Sequence, residues 1–173
     1  IDISHKPGLG HASRNLKAFE RLAGRECSDV MPEIMDERLE HIYAKELVIA
    51  GEYENYEPGY KYFSRVAELD YIGMERLGIA INMAAICASR RGDNIGFMKY
   101  ALRAAAGNIM TSELACELGT YYESMHDLNE ACMWYYNALR ECEPAMDINY
   151  GAKVPAEAME RLGVDATIYL DRE

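Results

Sequence analysis

The sequence predicts an all-α protein in which helical hairpins stack on one another. Apolar residues recur at helical spacing along most of the 173 residues, and no stretch alternates strictly between apolar and polar residues as a half-buried strand would. Turn signals recur as well, because Gly51, Gly92 and His126 each follow one helical stretch and precede another. A single hairpin cannot bury its apolar face by itself, so recurring hairpins predict a stacked array.

The spacing of these turns indicates the kind of repeat. Gly51 and Gly92 are 41 residues apart and Gly92 and His126 are 34 apart, intervals near the tetratricopeptide period of about 34 residues. We therefore expect a tetratricopeptide-like α-α superhelix of stacked antiparallel hairpins with a right-handed twist. Residues 1–30 are interpreted as a leader and a first helix, and residues 31–173 as the helical repeat domain.

The first two predicted hairpins have clear boundaries. The stretch "DERLEHIYAKELVIAG" predicts a helix that ends at Gly51, and Pro58 is expected in the first turn of its partner helix, where a missing N–H is tolerated. The stretch "MERLGIAINMAAICASRRGD" predicts a helix that ends at Gly92. Asp93 is the expected N-cap of the next helix, "NIGFMKYALRAAAG".

The third predicted hairpin is the most regular. Thr111 or Ser112 should start "SELACELGTYYESM", and Asp127 with Glu130 makes a start for the next helix that resembles a capping box. Its expected packing residues are Leu118, Gly119, Tyr122, Ala131, Tyr135 and Ala138. After it, Pro155 opens a short helix that should run to Leu162.

Gly119 is predicted to allow close approach of the two helices of this hairpin. A glycine inside a helix costs about 1 kcal/mol relative to alanine, so its presence needs a compensating reason. We expect Gly119→Leu to overpack the contact by roughly 1 to 3 kcal/mol and Gly119→Ala to be mild.

Composition and charge exclude several functional classes. There are 18 Lys and Arg against 29 Asp and Glu, a formal charge of −11, with no basic run that could follow a phosphate backbone, so nucleic acid is not an expected partner. The longest apolar stretch, "MAAICA", is far shorter than the ~20 residues that cross a bilayer. Five cysteines without a C-x-x-C pair fit a reducing, cytoplasmic environment.

Candidate catalytic and metal-binding patterns are weak. The glycines of "PGLGH" are neither preceded by a strand nor followed by Gly-Lys-Ser/Thr, so a flexible leader is the better interpretation. The four histidines are far apart, without zinc-ligand spacing, and no cysteine or serine has the sequence context of a nucleophile. We predict no catalytic residue, no metal ligand and no cofactor.

The polar face of the first helices of the hairpins is the expected functional surface. In a stacked array these helices line one side, which predicts a groove with a basic end and an acidic end. The candidate groove residues are Arg38, His41, Lys45, Asn82, Ser89, Arg90, Glu113, Thr120 and Glu123. The alternative is that these side chains form an ordinary solvated face.

Several stretches carry a resemblance to a known family. The segments "SRNLKAFERLAG", "YAKELVIAGEYENY", "SELACELGTYYE", "EACMWYYNALRECEPAMDI" and "GAKVPAEAMERLG" resemble the region that follows the catalytic domain in bacterial family 2 glycosyltransferases of the Firmicutes type. These enzymes have tetratricopeptide-like C-terminal halves. The resemblance covers nearly the whole chain and is most specific over residues 112–148.

The resemblance implies a function without chemistry of its own. In that family an α/β domain with an Asp-x-Asp motif binds the nucleotide sugar, and this chain contains no Asp-x-Asp. The expected role is a non-catalytic interaction or assembly module, the tail of a glycosyltransferase that docks the acceptor or pairs subunits. Its partners would be a protein or peptide, a second copy of the chain included. A free-standing tetratricopeptide scaffold or peptide-binding sensor is the alternative.

Overall fold

The computed structural model describes residues 17–18, 21, 37–50, 53–69, 73–146 and 148–165. These residues contain no strand, and one isolated parallel bridge joins Thr111 and Glu143. This confirms the all-α class, while the tetratricopeptide-like superhelix stays a prediction. The helices are α1 Glu37–Ala50, α2 Tyr53–Ala67, α3 Met74–Arg90, α4 Asn94–Ala106, α5 Ser112–Ser124, α6 Leu128–Arg140 and α7 Lys153–Arg161, with a 3-10 helix at Ile148–Gly151. The predicted leader and first helix lie outside the described residues, apart from positions 17, 18 and 21, which are helical.

The two later hairpin turns have the same geometry, as their sequence alignment predicts. Gly92 and His126 both have positive φ, 77° and 60°, and each is followed by an aspartate that caps the next helix. Asp93 accepts a hydrogen bond from the Gly96 N–H at 2.9 Å, and Asp127 accepts one from Glu130 at 3.2 Å. A left-handed residue followed by an N-cap ends one helix and starts the next within three residues.

Helix α2 differs from its sequence-based boundary. It begins at Tyr53, so Pro58 lies inside the helix and not in its first turn. A proline there removes one intrahelical hydrogen bond, a cost that burial of the surrounding side chains offsets. Tyr56, Tyr62 and Phe63 are at most 8% exposed, so tertiary packing extends the helix upstream of the proline.

Helix α3 packs on the first hairpin mainly through the second helix of that hairpin, α2, and less through α1. The second and third hairpins meet through their first helices, α3 and α5. Each first helix also packs against the second helix of its own hairpin. Helices α3 and α5 run parallel, because Asn82 in the middle of α3 bonds to Thr111 before α5, while Arg90 at the end of α3 bonds to Glu117 further along α5. Helix α7 packs on α6 and completes the array.

Two apolar clusters form the core. The larger one extends from α1 to the first half of α5, and the smaller one fills the space between α5, α6 and α7. Tyr122 and Trp134 pack against both clusters, so the two are continuous. Alanines supply many of the buried positions and keep the helices close together.

The packing residues predicted in the third hairpin lie at the α5–α6 contact. Leu118, Ala131 and Ala138 are buried, and Tyr122 is partly buried between the clusters. A Cβ atom on Gly119 would lie 2.5 Å from Cε1 and 2.6 Å from Cδ1 of Tyr135. The close approach predicted for Gly119 is therefore confirmed.

We expect Gly119→Ala to lower the free energy of unfolding by roughly 1 to 3 kcal/mol, because even one methyl group overlaps the Tyr135 ring. The ring cannot retreat freely, since its hydroxyl donates to Glu123 at 2.9 Å. This replaces the sequence-based expectation of a mild effect.

The measurement is chemical denaturation, with Gly78→Ala as the matched control. A Cβ at Gly78 would lie 3.8 Å from Ile109, so that variant should be neutral or stabilised by up to ~1 kcal/mol. Equal midpoints for Gly119→Ala and the unaltered protein would contradict the steric argument.

We expect His126→Gly to raise the free energy of unfolding by roughly 0.5 to 1 kcal/mol, because a side chain is strained at positive φ and the exposed His126 loses no packing. Gly92→Ala should have the opposite sign, since it places a Cβ in the same conformation. Thermal denaturation of both variants tests the pair. Two changes of the same sign would show that the turns are not equivalent.

Candidate functional site

A polar cluster lies between α3 and α5, at the last turn of α3. Arg90 on α3 forms an ion pair with Glu117 on α5, and the Ser89 hydroxyl donates to the same carboxylate at 3.0 Å. The Glu117 side chain is 9% exposed and that of Arg90 is 45% exposed. The ion pair therefore joins two hairpins. The side chain of Glu117 is nearly buried in it, and that of Arg90 is about half exposed.

Two tyrosines from other elements approach this ion pair. Tyr56 comes from α2 and Tyr150 from the 3-10 helix after α6, and both interact electrostatically with Arg90 and Glu117. Burial raises the pKa of both phenols, so they are neutral at physiological pH. We call Tyr56, Ser89, Arg90, Glu117 and Tyr150 the central cluster.

Arg90 keeps its positive charge in the central cluster. Burial opposes the charged form of Arg90, but the neighbouring Glu117 carboxylate outweighs it and raises the pKa of Arg90. Ser89 and Arg90 were predicted from the sequence, whereas Glu117 was missed although it lies one turn after Glu113. Tyr56 and Tyr150 have no sequence signal, because their elements meet the pair through tertiary packing.

The predicted acidic end is not an open acidic surface. Glu113 is 2% exposed, and its carboxylate accepts hydrogen bonds from the backbone N–H groups of Ala145 and Met146. Glu123 pairs with Arg161 at 2.7 Å and accepts from Tyr135. The prediction of exposed acidic groove residues is wrong for Glu113, because the chain itself crosses over the start of α5.

Two further groove candidates have local structural partners. Asn82 is fully buried, donates to the backbone oxygens of Gly78 and Ile109 at 2.8 and 2.7 Å, and accepts from the Thr111 N–H at 2.9 Å. Asn82 therefore holds the connection between α4 and α5 in place, and it does not reach the surface of the protein. Thr120 is exposed, and its hydroxyl donates to the Cys116 carbonyl at 3.0 Å.

The predicted basic end is partly described. The backbone of Arg38 lies in α1 and its side chain is outside the described residues, while Lys45 is half-buried. His41 packs between the rings of Tyr62 and Phe63, with centroids 6.0 and 5.9 Å away. Burial, with the nearby charges of Arg76 and Lys45, lowers the pKa of His41 to about 4. His41 is therefore neutral at pH 7 and adds no positive charge.

The buried thiols have little nucleophilic character. Burial raises the pKa of Cys87 and of Cys116 to about 12 and that of Cys142 to about 11, so these thiols are protonated at neutral pH. Within residues 37–165, as far as the structure describes them, no three His, Cys, Asp or Glu side chains gather as metal ligands would. No helix in that part of the chain is long and apolar enough to cross a bilayer.

Comparisons with protein-family models, with curated proteins and with solved structures give no significant match for this chain. Function is therefore inferred from the geometry of the central cluster. Its partly exposed groups are the side chains of Arg90 and Tyr150, while Tyr56 and Glu117 are buried.

We expect the protein to lose stability as the pH falls from about 6.5 towards 4, because His41 accepts a proton more readily in the unfolded chain than in the fold. The stability that neutral His41 contributes is complete above its pKa in the unfolded chain, about 6.5. It is lost as the pH falls through its pKa in the folded chain, about 4. His41→Phe should flatten the dependence of the unfolding free energy on pH in this window by up to about 3 kcal/mol.

The measurement is urea denaturation at a series of pH values from 7.5 to 4 on the two proteins. His126→Gln serves as the matched control, because it replaces a histidine at an exposed position outside the apolar core. An identical slope for His41→Phe and the unaltered chain would mean that His41 is not held neutral by burial.

Proposed function

We propose that the chain is a non-catalytic interaction module, the C-terminal helical-repeat tail of a bacterial family 2 glycosyltransferase that docks the acceptor or pairs subunits. The observation that carries the interaction role is the central cluster on the shared face of α3 and α5. In this cluster the half-exposed side chain of Arg90 lies near Tyr150, a neutral tyrosine that is partly exposed. Arginine and tyrosine are the side chains most enriched in binding hot spots.

The partner is a protein or peptide that lies along this face. Successive first helices provide a continuous surface whose length grows with each hairpin, a geometry suited to an extended chain. The neutral state of His41 leaves Lys45 and Arg38 to supply positive charge at the α1 end. Charge at this end of the face affects the association rate and the direction of binding more than the affinity.

The link to a glycosyltransferase rests on the sequence resemblance and has a direct test. The residues encoded upstream of Ile1 should form a strand-rich domain with an Asp-x-Asp motif that binds a nucleotide sugar. An upstream region without such a domain would favour the alternative, a free-standing tetratricopeptide scaffold or peptide sensor.

Docking is tested in the full-length parent enzyme by the double change Arg38→Glu with Lys45→Glu. Each exposed charge contact is worth about 0.2 to 1 kcal/mol, so we expect acceptor glycosylation to fall by about 2- to 30-fold while nucleotide-sugar hydrolysis stays unchanged. The matched control is Lys61→Glu with Lys99→Glu, which reverses two exposed lysines on the second helices α2 and α4.

Equal losses in the test and control proteins would indicate a general charge effect and contradict docking on this face. If glycosylation by the double variant is unchanged over a range of salt concentrations, the face is only a solvated surface. The tail would then act in subunit assembly. Circular dichroism of each variant establishes that the fold is retained.

A further inference from the structure

The connection between α6 and α7 crosses the start of α5, with an isolated bridge at Glu143 and a bend at Ala145 and Met146. We call residues 142–146 the crossing segment. Its backbone is held at both ends: the Ser112 hydroxyl donates to the Cys142 carbonyl at 2.8 Å, and the Ser112 N–H donates to the Glu143 carbonyl at 3.1 Å. The isolated parallel bridge between Thr111 and Glu143 belongs to the same contact.

Glu113 binds the other end of the crossing segment. Its Oε1 atom accepts from the N–H groups of Ala145 and Met146 at 2.9 and 2.6 Å, and its Oε2 atom lies 3.0 Å from the Ala145 nitrogen. This carboxylate is 2% exposed and therefore receives charge-assisted hydrogen bonds in a nearly dry environment. Hydrogen bonds to a charged group contribute more than those between neutral groups.

These contacts are made to the main chain of the crossing segment. Two carbonyls are bound first, and after Pro144, which has no N–H, two consecutive N–H groups are bound. The Met146 side chain packs against the larger apolar cluster and adds one apolar contact. The start of α5 thus binds the backbone of a non-helical segment in a defined direction.

We propose that Ser112 and Glu113 form a binding site for the backbone of a non-helical peptide, and that the crossing segment is its resident occupant. The ligand class is a peptide with two free carbonyls, a proline, and then two consecutive N–H groups, the second belonging to an apolar residue. The proposal deepens the proposed function by naming a ligand class and rests on it for the partner being a peptide. The central cluster lies next to this site, because Tyr150 follows the crossing segment and reaches Glu117.

Covalent attachment makes the resident segment a strong competitor. A short tether provides an effective concentration in the millimolar range, so a peptide in solution binds the intact chain only above that concentration. The site becomes accessible when the crossing segment is displaced or altered.

The test replaces Ala145 and Met146 with proline, which removes the two backbone donors of the crossing segment, and retains α7. A fluorescent peptide with the sequence of residues 141–151 is then titrated and followed by anisotropy. We expect it to bind the replaced chain at least tenfold more tightly than the intact chain. Adding Glu113→Gln to the replaced chain should weaken binding by about tenfold or more, because the neutral side chain keeps its shape and loses its charge.

The matched control is the same peptide methylated on the backbone nitrogens of the residues that correspond to Ala145 and Met146. This peptide keeps every side chain and loses the two donors, so it should bind at least tenfold more weakly. Equal binding of the methylated and unmethylated peptides would overturn the proposal, as would equal binding by the intact and replaced chains.

A second measurement covers the case in which the replaced chain does not fold. Amide hydrogen exchange of the intact chain is recorded with several millimolar peptide present. Displacement should accelerate exchange at Ala145 and Met146 and leave α3 and α4 unchanged, whereas unaltered protection at these two amides would overturn the proposal. Neither experiment uses acceptor or nucleotide sugar, so either outcome is separate from the docking test.

Discussion

The close approach of α5 and α6 at Gly119 is the constraint on which the second half of the structure depends. Because this position has no Cβ, the Tyr135 ring lies directly over the α5 backbone. The hydroxyl of that ring then reaches Glu123, and Glu123 pairs with Arg161 on α7. The absence of a side chain at Gly119 therefore affects the position of α7. The effect passes through the contact with Tyr135, the hydrogen bond to Glu123 and the ion pair with Arg161.

Helix α5 is also the element that joins the hairpins to one another. Its polar residues each bind a different part of the chain: Ser112 and Glu113 bind the crossing segment, Glu117 binds α3, and Glu123 binds α7. Burial of so many polar groups is tolerated because each has partners of opposite charge or hydrogen-bonding type. A pattern that resembles a solvated helical face is, in the folded chain, a set of connections between elements.

This use of α5 restricts where an external partner can bind. The acidic side chains at the start and end of α5 are already engaged, so the accessible recognition groups are concentrated near Arg90 and towards α1. A glycosyltransferase tail that holds an acceptor and a scaffold that holds a peptide would both use this region. They differ in what precedes the tail, and in whether the crossing segment gives way to another peptide.

The sequence determined the helical class, the hairpin turns and the packing at Gly119, because these depend on interactions between residues close along the chain or on a side chain that is missing. The caps at Asp93 and Asp127 and the turns at Gly92 and His126 are such local features. The tertiary structure decided the rest. Whether Glu113 faces solvent or a backbone amide depends on the path of a segment 32 to 33 residues later, and the start of α2 depends on the burial of Tyr56. Helical periodicity separates polar from apolar faces, but it does not say which polar face another part of the chain will cover.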